Sequence, residues 1–154
     1  MTYSECIAWL YSRLPMYQNV GKEAVKKDLT NISLLCTGLG NPHKKSTFIH
    51  VAGTNGKGSV SHILSSIYQA AGFKTGLYTS PHYLDFRERI RIDGLKISEE
   101  NVVGFIEEHK ELILKVSPSF FEITVAMAFD YFAKQQVDLA IIDTGLGGRL
   151  DSSN

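Results

Sequence analysis

The sequence predicts an α/β fold: a parallel sheet flanked by helices, with one small β-hairpin. Three observations carry that prediction. The apolar runs Thr47–Ala52, Lys74–Thr79 and Val137–Asp143 do not alternate with polar residues, as expected of strands buried on both faces. Segments with apolar residues at helical spacing lie between them. Three glycines, Gly53, Gly56 and Gly58, cluster where the first strand gives way to a helix.

Ile7, Leu10 and Leu14 mark a short first helix that Pro15 ends. Val25, Leu29, Ile32 and Cys36 place a second helix over about 22–37, and the Gly38–His43 stretch breaks it. The strand 47–52 runs into the glycine loop and a helix over about 58–71, which Gly72 closes before the strand 74–79. Ile90–Ile97 alternates around Asp93-Gly94, a hairpin signal. Val102, Phe105, Ile106, Ile113 and Val116 mark a helix after the cap-like Ser98, and a further helix over about 120–135 precedes the last strand.

The length of 154 residues suits one compact domain. Sixteen acidic and sixteen basic residues balance, which argues against a broad basic face and hence against a nucleic-acid partner. The first residues lack a signal-peptide pattern and no apolar run is long enough to span a bilayer, so no membrane partner is expected. Cys6 and Cys36 have no partner at metal spacing and read as buried reduced thiols, which points to a cytoplasmic setting.

Ligands of parallel sheets sit at the carboxyl ends of the strands, and three segments fall there: 53–59, 80–82 and 143–151. In the first, Gly53-Thr54-Asn55-Gly56-Lys57-Gly58-Ser59, glycines let backbone N–H groups approach phosphate oxygens. The helix start adds partial positive charge, Lys57 reaches the terminal phosphates, and Ser59 offers a hydroxyl to Mg²⁺. The spacing departs from the common nucleotide loop, because Val51 stands at the first glycine position and Gly58 separates Lys57 from Ser59. A plain glycine turn with an incidental lysine is the alternative.

Asp143 ends an apolar strand, as does the acid that assists Mg²⁺ beside a phosphate loop; a turn aspartate is the competing reading. Gly145–Asp151 gathers glycines around Arg149, a fork of donors for carboxylate or phosphate, or else a solvated loop arginine. Ser80 before Pro81 offers a hydroxyl to a metal, while His82 is a ligand contact or only a loop histidine. Arg87 or Arg89 borders an anionic substrate, or belongs to a solvated face. Of Phe120 and Phe121 at a helix start, one ring is expected in the core and one exposed, available to stack on a flat heterocycle.

Four segments together resemble the folylpolyglutamate synthase/dihydrofolate synthase family within the Mur ligase superfamily. They are VAGTNGKGSV at 51–60, TSPHYLDFRERIRIDG at 79–94, SFFEITVAMAFDYF at 119–132 and DTGLGGRLDSSN at 143–154. The resemblance implies a sheet of the Mur ligase central-domain type and ATP-dependent addition of L-glutamate to folate or dihydropteroate. By position, Thr54, Asn55, Gly56, Lys57, Gly58 and Ser59 would bind ATP, with Lys57 catalytic. Ser80 and Asp143, with Ser59, would hold Mg²⁺. Phe120, Phe121, Glu122, Leu150 and Asp151 would border the pterin, with His82, Arg89 and Arg149 as further contacts. The family usually carries Glu where this chain has Asp143, one methylene shorter.

Family members are much longer, with a C-terminal domain that contributes to ATP and glutamate binding. Residues 1–154 are therefore expected to be a partial N-terminal ATP-binding domain, inactive alone, of a protein monomeric at full length. Another Mur-type amide ligase is one rival reading, which the SPH and GLGGRLD segments argue against. A kinase or NTPase is a second, opposed by the displaced Ser59. A non-catalytic nucleotide-binding fragment is the third.

Overall fold

The computed structural model describes residues 1–13, 29–145 and 151–153. Leu14, Pro15 and Val25, the first part of the helix expected over 22–37, and Arg149 and Leu150 lie outside the described residues.

Helices α1 (Tyr3–Tyr11) and α2 (Thr30–Gly38) come first. Strand β1 (Thr47–Val51), helix α3 (Lys57–Ala70) and strand β2 (Thr75–Tyr78) follow. After a 3₁₀ turn at Phe86–Arg89 come β3 (Ile90–Ile92), β4 (Leu95–Lys96), α4 (Glu99–Val116), α5 (Phe120–Lys134) and β5 (Leu139–Asp143). The strand order is β1-β5-β2-β3-β4; β1, β5 and β2 are parallel, while β3 and β4 run antiparallel. The expected hairpin is present around Asp93 (φ 48°) and Gly94 (φ 79°), which supply the two left-handed positions of a tight primed turn. It extends the sheet through β2 instead of standing apart, so the sheet is mixed.

Helices cover both faces, and the alternation of side chains divides the core accordingly. Leu77, Leu139 and Ile141 pack on one face with Leu64 and Tyr68 of α3. Tyr78, Ala140 and Ile142 point to the other face, into the larger core built by α1, α2, α4 and α5. Ile141 and Ile142 are 0% and 1% exposed, so β5 is buried on both sides, as its apolar run predicts. Burying each such side chain contributes about 1.5–3 kcal/mol.

The expectation of full burial fails for β1. It is an edge strand among the described residues, pairing β5 alone, with Thr47 and His50 exposed. An apolar run reports side-chain chemistry; whether a neighbour lies on each side is fixed by distant segments.

Local signals set the helix starts. Thr2, Ser98 and Ser119 each accept a hydrogen bond from a first-turn N–H at the head of α1, α4 and α5. At α1 and α5 the third residue inside returns the bond, completing a capping box. Helix α3 differs, because its N-cap Gly56 (φ 77°) has no side-chain cap. Its first N–H groups are left for another acceptor. No helix among the described residues is long and apolar enough to cross a membrane.

Candidate nucleotide and substrate site

Register brings the predicted segments together. Val51 lies beside Asp143, and Tyr78 beside Ile142, so the three parallel strands end level. The glycine loop after β1, Ser80 after β2, and Asp143 at the end of β5 therefore share one rim. Thr144 closes it by donating both its backbone N–H and its hydroxyl to the Val51 carbonyl.

Gly53, Thr54, Asn55 and Gly56 are exposed on this rim, and Lys57 and Gly58 open α3. A Cβ built on Gly56 or Gly58 would meet nothing within 4 Å, so there is open space in front of the loop. The left-handed backbone of Gly56 is what turns the chain into the helix with its N–H groups facing that space. The Lys57 ammonium folds back and donates to the Gly53 carbonyl at 2.8 Å, so the cation rests at the loop's own mouth. Ser59 is exposed in the first turn.

Asp143 is 2% exposed, and its Oδ1 has no hydrogen-bond partner. Parity along β5 puts its side chain on the α3 face, with Leu139 and Ile141. Burial pushes its carboxyl up, opposed by a backbone bond from Ser80 and by the charge of Lys57. Asp151 adds repulsion: its Oδ2 accepts from the Gly145 N–H at 3.0 Å. An ideal Cβ on Gly145 would lie 3.4 Å from that Oδ2, 3.8 Å from the Ser80 hydroxyl and 4.0 Å from the Phe121 ring. An unpartnered carboxylate oxygen, a second carboxylate and a serine hydroxyl, all oxygen ligands at one rim, fit a hard divalent cation.

The expected substrate residues separate by role. Phe120 is 2% exposed and Phe121 38%, one ring in the core and one at the surface. Phe120 meets Tyr11, Phe86 and Phe121 at 5.6, 6.0 and 5.8 Å between centroids. The Glu122 carboxylate accepts from the Ser119 N–H at 2.7 Å, so its visible task is to cap α5 and set the direction of both phenylalanines. Asp151 accepts from the Ser153 N–H at 3.0 Å and from the Ser153 hydroxyl, which in turn meets His50 Nε2 at 2.8 Å.

Arg89 is 5% exposed, and its guanidinium lies 5.2 and 5.8 Å from the Phe120 and Phe121 ring centroids. Its Nε donates to His82 Nδ1 at 2.7 Å, and its Nη1 has no partner. Burial, and then the neighbouring Arg89 charge, hold His82 below its ordinary value. Burial pushes Tyr78 beside Arg89 up to about 12. Arg87, by contrast, is half-buried and tied to Asp85 at 2.6 Å. Tyr11 was missed by the sequence reading: its hydroxyl meets His82 Nε2 at 2.9 Å and its ring stacks on the imidazole. A tyrosine 71 residues before His82, on an otherwise ordinary amphipathic helix, carries no local signal of that contact.

No family model matches the chain. By sequence it is 41% identical over 159 aligned positions to the dihydrofolate synthase/folylpolyglutamate synthase of Bacillus subtilis, covering 99% of this chain and 35% of that protein. By structure it matches a folylpolyglutamate synthase from Thermotoga maritima with a TM-score of 0.87 and 44% identity, over 98% of this chain and 35% of the other. A solved complex of folylpolyglutamate synthase with AMPPCP and folate superposes with a TM-score of 0.88 and 36% identity, over 100% of this chain and 38% of the other. The chain is thus homologous over nearly its whole length to the folylpolyglutamate and dihydrofolate synthases, and it spans about a third of the length of these relatives.

Proposed function

We propose that this chain is the nucleotide-binding part of an ATP-dependent acid–amino-acid ligase that adds L-glutamate to folate, to dihydropteroate, or to both. The observation that carries the reading is the level ending of β1, β5 and β2, which sets an uncapped, glycine-opened helix start opposite a buried carboxylate with a free oxygen. The homologous proteins, one solved with an ATP analogue and folate, supply the substrate class.

A carboxylate resists attack by an amine, so it must first be activated. A substrate carboxylate oxygen attacks the γ-phosphorus of ATP and ADP departs, giving an acyl phosphate. The glutamate amine then attacks the acyl carbon, phosphate leaves, and the amine proton is lost to water. In this chain the N–H groups from Thr54 to Ser59 and the Lys57 ammonium hold the phosphates, with Lys57 moving from the Gly53 carbonyl onto the terminal phosphoryl group. Bound by Ser80, Asp143 and Ser59, Mg²⁺ would supply positive charge that offsets the phosphate charge during transfer. Phe121 offers an exposed face for the pterin, while Glu122 fixes the helix that presents it; Asp151 lies with Phe121 beside Gly145 and borders the pterin, with Leu150 and Arg149 as further contacts.

The whole enzyme is proposed to work as a monomer in the cytoplasm, a setting consistent with the buried thiols Cys6 and Cys36, which burial pushes up to about 11. Mass spectrometry after incubation of the whole enzyme with ATP, Mg²⁺, glutamate and either dihydropteroate or tetrahydrofolate tests the reading. A product one glutamyl unit heavier is expected, and its absence with both acceptors sinks it.

A further inference from the structure

A buried arginine governs an exposed tyrosine beside the Phe120–Phe121 pair. Arg89 is anchored at the end of the 3₁₀ turn Phe86–Arg89, where Asp85 and Glu88 form a capping box and Phe86 is buried. Among the described residues no carboxylate pairs with Arg89, so its charge rests on two aromatic faces, one imidazole nitrogen and the Tyr78 side chain. A guanidinium N–H can only donate, so His82 Nδ1 must be the accepting, unprotonated nitrogen. The His82 proton therefore sits on Nε2, and that N–H donates to the Tyr11 oxygen. With its lone pair so used, the Tyr11 hydroxyl has its own proton to give outward. A chain of hydrogen bonds ending on a buried cation polarises each member and strengthens the last donor.

Tyr11 is 37% exposed and its ring is 5.6 Å from that of Phe120, which adjoins the exposed Phe121. Tyr11 and Phe121 thus flank the buried Phe120 ring, and Tyr11 brings the one O–H of this aromatic row. We propose that Tyr11 is a substrate-binding residue. Its hydroxyl, aligned by Arg89 through His82, donates to an acceptor oxygen of the heteroaromatic acid lying against Phe121. The acceptor is a ring carbonyl or a carboxylate of that ligand. Arg89 and His82 are positioning residues for this contact. The proposal rests on the folate-ligase reading for the identity of the ligand.

Calorimetric titration of the whole enzyme with folate, with a pterin lacking any carboxylate, and with AMPPCP·Mg²⁺ tests it. Tyr11→Phe keeps the ring and removes only the O–H. It should weaken folate about tenfold, leave AMPPCP affinity unchanged, and leave the melting temperature unchanged. Arg89→Met, which frees His82 to take the other tautomer, should weaken folate by a similar factor and again spare AMPPCP. If the pterin weakens in parallel, the acceptor is the ring carbonyl; if only folate does, it is a carboxylate, and either result supports the contact. Folate binding to Tyr11→Phe as tightly as to wild type overturns the proposal alone. So does an equal loss of folate and AMPPCP affinity, which would mark a structural role. A wild-type protein that binds neither folate nor the pterin overturns the folate-ligase reading and this proposal together.

Discussion

Asp143 and Lys57 pull against each other across the rim, and each has a separable consequence. Asp143 holds a buried carboxylate oxygen with no partner, which costs about 1–3 kcal/mol. Asp143→Asn should therefore raise the melting temperature by about 2–4 °C for each kcal/mol recovered in the absence of divalent cations. It should also abolish the further rise that Mg²⁺ with AMPPCP gives the wild type, and a melting curve in each condition checks both outcomes. Among the described residues the Lys57 ammonium hydrogen-bonds only the Gly53 carbonyl. Lys57→Ala should leave the melting temperature unchanged and remove AMPPCP binding in calorimetry; loss of the fold would make the loop structural. These two residues were legible in the sequence because their chemistry sits at strand ends. The tasks of Glu122 and Arg89 were not, since capping geometry and a buried cation–aromatic contact depend on how α5 meets the 3₁₀ turn, which no local pattern encodes.

The elements that aim the site are held by their ends. Ser119 accepts from the Glu122 N–H while Glu122 accepts from the Ser119 N–H, and this box points Phe120 inward and Phe121 outward. Ser119→Ala should cost about 1 kcal/mol, read as a fall of about 2–4 °C in melting temperature. The 3₁₀ turn before β3 is fixed by Asp85, whose carboxyl the Arg87 guanidinium holds well below the usual range. Because the folded-state carboxyl titrates below the unfolded one, its contribution is complete above about pH 4 and is lost as the pH falls through the lower folded value. Asp85→Asn should thus lose about 1 kcal/mol at neutral pH, a gap that closes progressively in acid in denaturant titrations. Hairpin and helices were legible, since Asp93-Gly94, Ser98 and Ser119 signal locally. Boundaries shifted by a residue or two where the last turn frays.

Across the whole molecule, order in space is what the sequence left unstated. The last strand, β5, inserts between β1 and β2, and only that insertion makes Asp143 a neighbour of both the glycine loop and Ser80. Three apolar runs predict three strands without predicting which is central, so β1 reads as fully buried and is an edge among the described residues. The packing across this centre is tight: a Cβ at Gly76 would sit 2.9 Å from Ala140 Cβ and from the Phe132 ring. Gly76→Ala should destabilise by about 1–3 kcal/mol in denaturant titration, separating β2 from β5 and impairing the site without touching it. ADP release by the whole enzyme tests the central claim most directly, measured with ATP and Mg²⁺ while a folate-type carboxylate and glutamate are omitted in turn. The account predicts release only when both are present, and none in Lys57→Ala. Equal release with neither present would make the protein a nucleotide hydrolase and contradict the account.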